Sequence, residues 1–127
     1  MKPAVVILSA AAVLNVAAAP AHAHHSTAAR YDISLELSVP GVLVEMRDFS
    51  PHSTWRVMVK GAGGQATDWN FEGVSPTALR NQGIRIKDQI KPGEPYVFYY
   101  APSWNLPNAG LLTAIQIDGR KVTFLKP

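Results

Sequence analysis

The stretch Ser75-Pro76-Thr77-Ala78-Leu79-Arg80-Asn81-Gln82-Gly83 decides the fold. A serine stands where a helix N-cap needs an acceptor oxygen, and proline follows at the first helical position, where its missing N–H costs nothing. Gly83 supplies the stop, so the spacing predicts a helix over 77–82. So short a helix is unstable alone and must be held against a sheet, with Ala78, Leu79 and Ile84 as its apolar contacts.

Upstream of that helix the apolar residues alternate. Leu35, Leu37 and Val39 alternate with Ser34, Glu36 and Ser38, which predicts a strand beginning near Ile33. The pattern pauses at Pro40-Gly41 and resumes with Val42, Val44 and Met46, as in one long strand with a bulge or sharp bend at that dipeptide. Ser50-Pro51-His52-Ser53 reads as a turn. Trp55, Val57 and Val59 then mark a second strand, Gly61-Ala62-Gly63-Gly64 a reversal, and Trp69 and Phe71 a third strand.

Downstream, Lys91-Pro92-Gly93-Glu94 is a turn and Tyr96 to Ala101 an aromatic strand. A loop over 102–110 carries Trp104 and Asn105, Leu111 to Ile117 alternates again, and Val122 to Leu125 adds a last edge strand after Asp118-Gly119. Three strands, one short helix, then two or three strands is the element order of an all-β, OB-like Greek-key barrel of five or six strands. An immunoglobulin-like sandwich needs more strands and no capped helix in the middle.

The 127 residues allow one domain. Lys2, the apolar run from Ala4 to Leu14 and the small-x-small site Ala21-His22-Ala23 predict a secretory signal peptide over 1–23, its apolar run too short to span a bilayer. A tail over 24–32 and a barrel domain over 33–127 would follow. Ala19-Pro20-Ala21 offers a second cut, after Ala21. Both place the mature protein in the periplasm or outside the cell. With no cysteine, a disulfide framework, a lipid-anchored cysteine and a thiolate metal site are all excluded. The net charge of +3 is scattered, without the basic stripe that a nucleic-acid partner needs. A monomer is the expected state, with no stable membrane insertion after cleavage.

Ala23-His24-His25-Ser26, Tyr31-Asp32, Ser50-Pro51-His52, Trp69-Asn70-Phe71-Glu72, Ser75 to Leu79, Gly83, Lys91-Pro92-Gly93 and Asp118-Gly119-Arg120 together resemble a family of small exported bacterial proteins. That family is catalogued only as a domain of unknown function, and it usually carries Asn-Pro-His where this chain has Ser50-Pro51-His52. The resemblance implies export and a small β domain, and brings no activity with it.

Two chemistries are open. Cleavage after Ala23 leaves His24 with a free amine, so that amine and ring nitrogen together offer two ligands, with His52 as a third and His25 beside them. Nitrogen ligands without thiolate suit copper, with zinc and nickel as competitors. Cleavage after Ala21 instead puts His24 third from the terminus, where amine, two backbone nitrogens and imidazole make a square-planar site. Met46 and Met58 are weaker candidates, since methionines in alternating strands usually fill cores. The rival is a ligand-binding or protein-interaction module using Trp55, Trp69, Tyr99 and Trp104 as an aromatic face, without a metal. Asp32, Asp48, Asp68, Glu72 and Asp88 form no recognisable pair, and hydrolase signatures are absent, so the sequence leans against an enzyme.

Overall fold

A computed structural model describes residues 27–49 and 51–126. Among the described residues the elements are, in order, α1 Thr27–Arg30, β1 Leu37–Phe49, β2 His52–Lys60, β3 Ala66–Val74, α2 Pro76–Asn81, α3 Ile86–Gln89, β4 Pro95–Pro102, β5 Ala109–Ile117 and β6 Arg120–Thr123. β1 pairs antiparallel with both β2 and β4, β2 with β3, and β4 with β5. A parallel pairing of Asn70–Glu72 on β3 with Ala109–Leu111 on β5 closes the ring. The strands therefore run 1-2-3-5-4 around a five-stranded barrel, and β6 lies beside β5 where β3 has left it. This is the expected OB-like barrel, and closure leaves few free strand edges.

α2 forms for the local reasons its sequence states. Ser75 Oγ accepts from the Ala78 N–H at 3.2 Å. At the other end Gly83, with φ of 79°, lets its own N–H bond to Arg80 O and the Ile84 N–H bond to Leu79 O, both at 2.9 Å. That pair of bonds is a Schellman stop, which needs the left-handed residue that glycine supplies cheaply. The helix holds because Leu79 is driven into the barrel core together with Ile86 of α3. Burying a large apolar side chain of this kind stabilises by about 1.5–3 kcal/mol. Among the described residues there are three short helices where the sequence predicts one: α1 is a single turn in the segment read as a tail, and α3 has no side-chain cap to announce it.

The core takes alternate residues of β2 (Trp55, Val57, Val59) and β4 (Phe98, Tyr100), with Phe71 from β3, and Leu112 and Ile115 from β5, which is buried along almost its whole length and paired with β4 across a register shift. Phe71 packs between Phe98 and Tyr100, with ring centroids 6.0 and 5.1 Å away.

β1 departs from expectation in two ways. It starts at Leu37, because the Asp32 carboxylate accepts from the Ser34 N–H at 3.1 Å and hydroxyl at 2.5 Å, turning the chain before a ladder can form. The register shift falls between Leu43 and Glu45, one turn of the pleat later than Pro40-Gly41. Its consequence is a change of parity. Val39 and Leu43 face inward before the bulge and Met46 after it, while Val42 is exposed. Pro40 and Gly41 instead sit in regular pairing with β4, just before β1 transfers its bonds to β2. A Cβ on Gly41 would meet Val57 Cγ1 at 2.5 Å, so glycine there permits the close approach at which the strand bends over β2.

Candidate functional site

His52 opens β2 and pairs with Phe49 and with Val74, so it belongs to the ladder and not to the preceding turn. Its neighbour Ser53 points into the core and is fully buried. By the two-residue period of a strand, His52 is therefore turned outward, and its side chain is 59 % exposed. Glu72 lies on the adjacent strand, outward for the same reason, between the buried Phe71 and Gly73.

The two side chains meet. His52 Nδ1 lies 3.0 Å from Glu72 Oε1. The other carboxylate oxygen, Oε2, accepts from the Tyr31 hydroxyl at 2.6 Å and lies 2.7 Å from Arg30 Nη2. Arg30 also donates to the Tyr31 hydroxyl at 3.1 Å. One half-buried carboxylate thus joins the start of the described chain to the histidine at the start of β2.

The segment carrying Arg30 and Tyr31 is fixed independently of that carboxylate. Tyr31 makes an isolated bridge with Ser103, the Asp32 N–H bonds Pro102 O at 2.8 Å, and the Trp104 indole donates to Ala28 O at 3.0 Å. The Tyr31 ring is 6 % exposed and packs with Ala101 and Leu111 in a small second cluster outside the barrel core. Burial, the bond to Glu72 and the negative charge of Glu72 all push the Tyr31 phenol well above its usual pKa. Tyr31 is a proton donor here across the physiological range.

The His52 side chain is otherwise open to solvent. Among the described residues, no three His, Asp or Glu side chains are grouped to hold a metal ion. His24 and His25, and residues 1–23 where a signal peptide is expected, lie outside the described residues.

The four aromatic candidates are not brought onto one face. Trp55 is 1 % exposed and stacks on Phe124 in the core. Trp69 is half-buried against Phe71 and Tyr100. Tyr99 lies on the outer side of β4 under the Lys121 ammonium, 4.3 Å from its ring centroid. Trp104 is exposed in the loop between β4 and β5. Met46 packs against the core, and Met58 is half-buried at the other end of the β1–β2 pairing, opposite Val42. Of the acids, Asp48, Asp68 and Asp88 face Lys87, Arg56 and Arg85 in exposed pairs at 3.7 to 4.0 Å.

In the sequence alone nothing marks Tyr31 or Arg30 as site residues, and Glu72 is one candidate acid among five. Their only signal there is that Tyr31 and Glu72 both fall in short motifs that carry the family resemblance, 41 residues apart. The coarser part of the resemblance, to an uncharacterised family, is supported. Residues 11–112 match a family described as a family of unknown function (DUF6152), and the chain belongs to that family. Neither a curated protein nor a solved structure matches the chain.

Proposed function

We propose that this chain is an exported, monomeric binding protein that takes copper, or another divalent transition metal, through the mature N-terminal His24 and through His52, with His25 beside them. The reading requires removal of the leader after Ala23, since only then does His24 contribute an amine as well as a ring nitrogen. What supports it most is the shared carboxylate: Glu72 engages His52 at Nδ1 while holding Arg30 and Tyr31, the segment that leads back to His24. Thr27, where α1 begins, is three positions after His24. At about 3.3 Å per extended residue those three positions would reach roughly 10 Å from the start of a helix anchored beside His52. Nitrogen donors without thiolate favour Cu(II) among divalent first-row metals.

The test is intact-mass measurement of the exported protein, followed by Cu(II) titration of the native form, of a form with one extra N-terminal residue, and of His52→Ala. Tight binding by the native form alone is the expected result. Equal, weak binding by all three would sink the reading.

A second reading, an interaction or glycan-binding module without a metal, is favoured by Trp104, 57 % exposed in the β4–β5 loop that OB barrels use for ligands. A Trp fluorescence screen against glycans and small metabolites tests it, and a flat response across the panel removes it.

A further inference from the structure

We infer that a groove at the far end of β2 from His52 binds a short peptide with apolar side chains and both termini free, its carboxylate taken by Lys60 and Lys91 and its ammonium by Glu94 and Asp118.

The groove follows from the bend in β1. Val42 is where that strand passes from β4 to β2, pairing with Pro95 on one side and Met58 on the other. Turned outward there, Val42 stays 38 % exposed, and with the half-buried Met58 and Val97 it gives the groove an apolar lining. The space enclosed is about 900 Å³, within the range of about 300–1,000 Å³ that small-ligand sites occupy. Lys60 closes the strand that His52 opens, so roughly 25 Å of strand lies between this groove and the His52–Glu72 contact. Neither His52 nor Trp104 lines it.

The four charged residues of the lining stand on fixed backbone. Lys60 pairs with Ala66 across β2 and β3, and the Lys91 N–H donates to the Tyr96 hydroxyl at 2.8 Å. The carbonyl of Glu94 accepts from the Leu43 N–H at 3.1 Å. Asp118 and Gly119, with φ of 49° and 75°, make the two-residue turn between β5 and β6. Their side chains are nonetheless unengaged. Among the described residues every other acidic side chain meets a cation or, at Asp32, the N–H and hydroxyl of Ser34, whereas Glu94 and Asp118 meet neither. Lys60 and Lys91 likewise belong to no ion pair among the described residues. Two ammoniums and two carboxylates therefore surround one apolar groove without cancelling each other. The complement of such a lining carries one charge of each sign on an apolar body, and a short peptide with unblocked ends has that chemistry.

The test is NMR titration of the whole purified chain with leucyl-leucine, leucyl-alanyl-leucine and leucyl-alanyl-alanyl-leucine, each unblocked, N-acetylated or C-amidated. At least one unblocked peptide is expected to shift the methyl signals of Val42, Met58 and Val97, and either block should weaken its binding about two- to five-fold, as loss of a partly solvated ion pair does. Glu94→Gln with Asp118→Asn should remove the discrimination against the acetylated form alone, and Lys60→Gln with Lys91→Gln that against the amidated form alone. All four positions are exposed, so these variants leave the core intact. Absence of shifts in the groove with every peptide overturns the inference. So does equal binding of the acetylated form, which marks an anionic amphiphile as the ligand, and so do shifts confined to Trp104, which place the peptide on the β4–β5 loop. None of these outcomes bears on the metal reading, which Cu(II) titration decides separately.

Discussion

The indole nitrogen of Trp55 donates to Ser53 Oγ at 2.7 Å, and that hydroxyl donates onward to Val74 O at 2.8 Å. Both residues lie on the inner face of β2 and are shut off from water. Among the described residues, no buried side-chain nitrogen or oxygen lacks a partner, and Ser53 is one reason. Ser53→Ala leaves the indole N–H buried and unpaired, at an expected cost of about 1–3 kcal/mol. Urea unfolding of Ser53→Ala, Trp55→Phe and the double variant checks it. The double variant should cost less than the sum of the two single ones, because the stranded donor has been removed with its acceptor.

Ser75→Ala removes the acceptor that caps α2, with an expected loss of about 0.5–2 kcal/mol. Ser75→Asp offers another acceptor oxygen but buries a charge where Ser75 is 1 % exposed, so it should restore less than the full capping loss. Thermal unfolding of the two variants beside the native chain separates capping from simple space-filling.

The Tyr31 phenol bears on stability in alkali. Its folded pKa is raised above the unfolded value of about 10, so its contribution is complete below that pH. It is lost progressively as the pH rises towards the folded value. The native chain should therefore lose stability steadily above about pH 10, and Tyr31→Phe should lose less over the same window. Unfolding at a series of alkaline pH values, with phenolate absorbance followed alongside, measures both.

Glu36 makes the opposite prediction at the acid end. Bonds from Lys121 and then from Thr113 hold its carboxyl below the usual range, against a smaller effect of burial. With a depressed folded pKa, its contribution is present at neutral pH and disappears as the pH falls through that value. Glu36→Gln should cost less than about 1 kcal/mol at pH 7, because the Lys121 pair is largely solvated. The difference from native should vanish in acid, which denaturant midpoints at pH 7 and pH 3 would reveal.

What the sequence disclosed follows from the range of the interactions concerned. The cap and stop of α2 are written within nine consecutive residues, and the alternation of β2 and β4 within six or seven, so the barrel order was legible. The bulge at Val44 was not, because it exists only in the pairing of β1 with β2, and Pro40-Gly41 was the more conspicuous local candidate. Glu36 fitted a polar position in an alternating strand, yet its side chain reaches Thr113, 77 residues away. The site was legible at His52 alone. Glu72 gained meaning only when β3 laid it beside β2 and the segment before β1 was folded over the seam.

That seam also fixes an order of events. The parallel contact of β3 with β5 spans three residue pairs, and Tyr31 rests on Ala101 and Leu111, which belong to β4 and β5. Tyr31 leaves the ribosome about 80 residues ahead of the surface it docks against. The earliest part of the described chain must therefore wait for some of the latest before it can be seated, and Glu72 gains its contacts with Arg30 and Tyr31 only then. Any interaction that depends on both ends of this arrangement can therefore form only in a finished chain.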